Sequence, residues 1–93
     1  MIHELKCWPE PFQAIVDRRK KFEFRDARDR HFTVGDTLRI MEWDPRTKEY
    51  TKREVHCTVT YLLDFGFGIP DGYCVMSIDV FGGSNIGKRV SMP

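Results

Sequence analysis

The residue types best suited to chemistry are concentrated in one short stretch. Lys20, Glu23 and Arg25 bring an ammonium, a carboxylate and a guanidinium within six residues. They lie inside a charged segment from Asp17 to Arg30 that also holds Arg18, Arg19, Lys21, Arg28 and Arg30 against Asp26 and Asp29. If residues 21–25 form a strand, Lys21, Glu23 and Arg25 leave one face and Phe22 and Phe24 the other, which reads as an outward charged face and an aromatic core face. A lysine and an arginine oriented by a glutamate can meet phosphate or base edges. The plainer use of such alternation is a solvated ion-pair ladder. Lys20 shares parity with Phe22, so only the turn before the strand can deliver it beside Glu23.

Two further features favour a site over a ladder. Glu42 continues the apolar series Leu38 and Ile40, so alternation aims a carboxylate toward the interior or its rim, where it either needs Arg25, Lys20 or a ligand as partner or reaches solvent by rotation of the strand end. Phe65 and Phe67 stand in the glycine-punctuated loop 64–72, where they can act as a lid, as a stacking platform or as a plug for one end of a barrel. His3 and Lys6 are added as ligand-binding candidates, although their opposite parity on a strand lets only one of them face a given cleft.

Other chemistries find less support. The three histidines and three cysteines lack ligand spacing, and His56 and Cys57 fall on opposite faces of their strand, so neither a metal nor a cofactor is expected. Cys7, Cys57 and Cys74 are odd in number and form no CxxC pair, which fits a reducing compartment and hence the cytoplasm. Cys57 and Cys74 read as core residues. No stretch is long enough to span a bilayer, and His3, Glu4 and Lys6 interrupt any signal-like apolar run, so no membrane role is expected. A net charge of +1 rules out a global field that attracts polyanions, and any nucleic-acid contact must come from a local cluster.

The elements that must position these residues are short. With 93 residues, of which 41% are apolar, the chain can bury one core. Residues 2–6 read as a strand. Pro9 and Pro11 open a helix over 10–19, with Phe12, Ile15 and Val16 as its buried stripe. Strands follow over 21–25, 37–43, about 50–63 and 73–79, the long one with a bend or bulge and with Val55, Cys57, Val59, Tyr61 and Leu63 on one face. Gly82-Gly83-Ser84-Asn85 opens a tail expected to be flexible. The fold class is therefore α+β, mainly β: a small mixed β-barrel of about five strands with one early helix packed beside it.

Arg18-Arg19-Lys20-Lys21-Phe22-Glu23-Phe24-Arg25 resembles the Gly-x-Lys-x-x-Glu-x-Arg signature of ASCH domains, members of the PUA-like superfamily. Lys20, Glu23 and Arg25 are kept, and Arg18 stands at the signature's glycine. His3-Glu4-Leu5-Lys6, Trp8-Pro9-Glu10-Pro11-Phe12, Val34-Gly35-Asp36, Glu42-Trp43-Asp44 and Gly66-Phe67-Gly68-Ile69-Pro70-Asp71-Gly72-Tyr73 are similar to a small bacterial and phage branch of that superfamily whose function is unassigned. The resemblance covers residues 1–80, which implies one ASCH/PUA-like domain there and leaves 81–93 as a C-terminal tail. It implies a pseudo-barrel whose cleft is lined by the signature strand, as in domains that bind RNA or modified nucleotides. One ASCH-like branch removes an acetyl group from acetylated cytidine with a lysine, a threonine and a glutamate. Lys20 and Glu23 resemble the first and last, and the threonine is absent.

The leading expectation is an RNA- or nucleotide-binding domain with Lys20, Glu23 and Arg25 in a charged cleft. The alternative is a small hydrolase of modified nucleosides or RNA, with Lys20 and Glu23 or Glu42 in acid and base roles. A third reading is an interaction protein of a phage or mobile element, in which the charged helix end and a hairpin over 43–50 meet a host protein that the sequence does not specify.

Overall fold

In the computed structural model, which describes residues 1–87, the chain runs β1 (Ile2–Cys7), α1 (Pro9–Val16), β2 (Phe22–Asp26), β3 (Thr37–Asp44), β4 (Glu49–Leu63) and β5 (Tyr73–Ser84). Pro9 opens α1, where its missing N–H removes no helical bond, and Phe12, Ala14 and Ile15 form the buried stripe. The helix ends at Val16, short of the expected residue 19. Arg18 takes the left-handed conformation, with φ +64°, and the amides of Arg19 and Lys20 both donate to the Ala14 carbonyl at 2.9 and 3.0 Å. That tight reversal brings Lys20 to the entrance of β2.

The strands form one curled half-barrel sheet in the order β1-β3-β4-β5-β2, with β1 parallel to β3 and every other pair antiparallel. The mainly β architecture with one short helix is thus as the sequence indicates. Leu38 and Ile40 of β3 and Val55, Cys57 and Val59 of β4 are fully buried inside the curl. Register shifts between His56 and Cys57 and between Val59 and Tyr61 supply the irregularity expected in the long strand. The second shift also reverses its tip. Tyr61, expected to face inward, is exposed, and Leu62 packs against the core in its place.

β5 runs five residues past the expected 73–79. Gly83 pairs with Val55, and a Cβ there would lie 2.5 Å from the Glu54 carbonyl, so glycine is what allows the strand to continue. Of the expected 81–93 tail, residues through Ser84 therefore belong to β5, and residues 88–93 lie outside the described part. No described helix is long and apolar enough to cross a membrane.

β1 and β2 are the two edges of the sheet, and side chains rather than a ladder join them. Arg25 Nη2 donates to the Lys6 carbonyl at 3.1 Å, and Arg30 Nη1 to the Glu4 carbonyl at 3.2 Å. These bonds pull the open edges together into a seam.

Candidate binding groove at the β1–β2 seam

β2 alternates as expected but with its faces exchanged. Glu23 points inward and is 3% exposed, whereas Phe22 and Phe24, read as the core face, are 49% and 47% exposed. The reason lies in the neighbours. Glu23 is registered with Met76 on β5, over an interior that the other strands already fill, and its charge is met by cations from both sides. Lys20 Nζ donates to Glu23 Oε2 and, at 2.8 Å, to the Phe22 carbonyl. Arg25 donates to Glu23 Oε1 from Nε at 2.9 Å and from Nη2 at 2.7 Å. Glu23 is thereby a clamp that fixes both cations. Lys20 does arrive from the preceding turn, and Lys21 stays exposed outside β2.

This clamp forms the floor of a groove of about 440 Å³ between the end of β1, the start of α1 and β2. Lys6, Trp8, Phe22 and Phe24 line its walls with Glu10 and Pro11. Trp8 is 58% exposed at the N-cap of α1, where its extended backbone leads into Pro9. The Lys6 ammonium sits 4.3 Å from the centre of the Trp43 ring, which orients it along the rim. Three cations thus face two carboxylates, and the Arg25 Nη1 group makes none of the bonds above. On the far side of Arg25 a second groove, of about 460 Å³, is lined by Leu5, Asp26, Arg28, Asp29, Arg30 and Phe32. Arg25 is the partition between them.

The structure brings Lys20, Glu23, Arg25 and Lys6 together and places the other four candidates elsewhere. Glu42 does point inward, but to its own partners: it is 1% exposed, accepts from Thr51 Oγ1 at 2.6 Å and pairs with Arg53 at 3.2 Å. Arg53 is itself buried, donates to Gln13 Oε1 at 2.9 Å and to the Asn85 and Ile86 carbonyls at 3.2 Å, and lies over the Phe12 ring. This network ties α1 to β4 and to the end of β5. His3 is buried against Phe32 and bonded through Nε2 to Asp36 at 2.8 Å. Phe65 and Phe67 are 74% and 90% exposed and line neither groove.

Trp8 and the outward turn of Phe22 and Phe24 escaped the sequence reading. An aromatic beside proline at a helix start is the one local signal that marks Trp8. The cysteines offer no nucleophile: all three are buried, and desolvation, followed by the neighbouring Glu23, pushes the Cys7 and Cys57 thiols up to about 12. No group of three or more His, Cys, Asp and Glu side chains among the described residues could hold a metal ion.

An uncharacterised 12.9 kDa protein encoded in the GpA 3′ region of Escherichia phage P2 is 33% identical over 70 residues, covering 75% of this chain. The aligned part spans 62% of the phage protein, less than two thirds of its length. Residues 2–78 match the model of a domain of unknown function, DUF3850, and the chain belongs to that family.

Proposed function

We propose that the seam groove binds a nucleotide unit of single-stranded RNA, as an ASCH-like module of the PUA-like superfamily. The observation that carries this reading is a buried carboxylate holding two cations at the floor of a groove whose walls are exposed aromatic rings. Rings of this kind stack bases, and Arg25 Nη1 with the remaining Lys20 proton supplies donors for phosphate or a base edge. The near balance of charge suits recognition of one unit rather than capture of a polyanion. Binding is favoured over turnover because Lys20 already bonds to Glu23 and the Phe22 carbonyl, and either carboxylate of the hydrolase reading is engaged, Glu23 by Lys20 and Arg25 and Glu42 by Arg53.

The test is titration of a Trp43→Phe variant, in which Trp8 is the remaining indole, with ribonucleoside monophosphates and a short single-stranded RNA. Trp8 emission should change on binding, and the affinity should fall with salt by about 0.7 log units per log unit for each phosphate held. Affinity unchanged by charge reversal at Lys20 and Arg25, with folding verified by circular dichroism, would exclude the groove. Release of acetate from an acetylated nucleoside that depends on Lys20 would make the protein a hydrolase instead.

A further inference from the structure

The outer face of β2, β5 and β4 carries rings that the described fold leaves half exposed or more. Phe22 and Phe24 are half exposed and Tyr61 is 61% exposed. The register sets Phe22 beside Ser77 and Ser77 beside Tyr61, with Phe24, Val75 and Leu63 as the next row. Tyr73 stacks on Phe24 with ring centres 5.6 Å apart and planes at 30°. An apolar face of this kind marks an interaction surface.

Charge selects the partner. Lys20 Nζ, held by Glu23, lies 4.8 Å from the Phe22 ring centre at one end of the row, and the Arg28 guanidinium lies 5.5 Å from the Tyr73 ring centre at the other, paired with Asp26 through Nε and Nη2 so that Nη1 is the group left outside that pair. An apolar protein surface would desolvate both cations, whereas a nucleic-acid strand brings bases to the rings and phosphates to the cations. Phe22 and Phe24 point the same way two residues apart, about 6.8 Å along the strand, which leaves room for one base on each. Exposed aromatics on a sheet that stack two or three bases are an efficient way to hold single strands.

We propose that this outer face stacks consecutive bases of a single-stranded nucleic acid on Phe22, Phe24 and Tyr61, with Lys20 and Arg28 on its phosphates. The inference rests on the groove reading, in that the strand continues outward from the nucleotide held beside Arg25, and Tyr61 separates the two because it lies outside the groove.

The test uses the full chain with Tyr61→Ala and Tyr61→Phe variants. A labelled single-stranded hexanucleotide, as RNA and as DNA, is followed by anisotropy, and ribonucleoside monophosphates by calorimetry. Tyr61→Ala should weaken hexanucleotide binding about tenfold and leave mononucleotide binding unchanged, while Tyr61→Phe keeps the stack and the affinity. Preference for RNA, or equal binding of both single strands, supports the face. Duplex binding as tight as single-strand binding overturns it, as does a hexanucleotide affinity insensitive to Tyr61→Ala. A dimer that Tyr61→Ala converts to monomer overturns it too, because a second copy then covers the face. Hexanucleotide binding that depends on Tyr61, without mononucleotide binding, removes the groove reading alone, and absence of both removes both.

Discussion

Replacing Glu23 by glutamine keeps the side chain's size and removes the charge that holds the seam's cations. The amide oxygen can still accept from Arg25, but its NH₂ group is then turned toward the Lys20 ammonium, donor against donor, so the Lys20 bond is lost and the Arg25 bonds weaken. Hydrogen bonds to a charged group contribute about 1.5–3 kcal/mol each. The Lys20 and Arg25 side chains are 19% and 25% exposed and can turn toward water, which limits the loss. About 2 kcal/mol of destabilisation is the result expected. For a domain of this size that lowers the melting temperature by about 8–16 °C. Urea unfolding of Glu23→Gln, Lys20→Met and the double variant measures it. Because the two groups touch, the double variant should be more stable than the sum of the single losses predicts, by about 0.5 kcal/mol or more. A Glu23→Gln loss within about 0.5 kcal/mol, the range of ordinary surface changes, or strict additivity, would show that the clamp is not formed.

Arg18→Gly should stabilise the protein by about 1 kcal/mol in the same assay, because glycine adopts the left-handed helix end without a Cβ penalty. The Asp36 carboxyl is held below the ordinary aspartate value by the hydrogen bond to His3, then by the Thr33 amide and the chain amine. The stability this adds is present above the ordinary value of about 3.9 and is lost as pH falls through the lower folded value, so Asp36→Asn should lower stability near neutral pH and flatten the acid limb of a pH–stability curve. The buried thiols predict that a disulfide reagent at mildly alkaline pH labels native protein far more slowly than urea-unfolded protein, which should react at all three cysteines.

Period-two alternation made the strands legible, and it correctly aimed Glu42 inward. It could not name Arg53 as the partner, because that pairing depends on the β3–β4 register and on the irregularity between Met41 and Trp43. Alternation also separates the faces of β2 without saying which is inside. Hydrophobicity chose the phenylalanines, and the interior took Glu23 because two cations reach it, one of them from a turn that only the left-handed Arg18 creates. His3 was placed with the groove residues, yet its position is set by Asp36, a partner 33 residues away. The groove is composed of local neighbours around residues 20–25, which is why its charged half was readable, and of the β1 end folded back on them, which is why Trp8 was not.

The seam has a meaning beyond the proposed groove. Each free strand edge is a template on which another chain can add itself, and here the two edges face each other with arginines bonded to alternate carbonyls of one of them. Arg25 and Arg30 therefore act as sentries against polymerisation: they occupy the acceptors that an incoming strand would need, and they place positive charge where a second copy would have to dock.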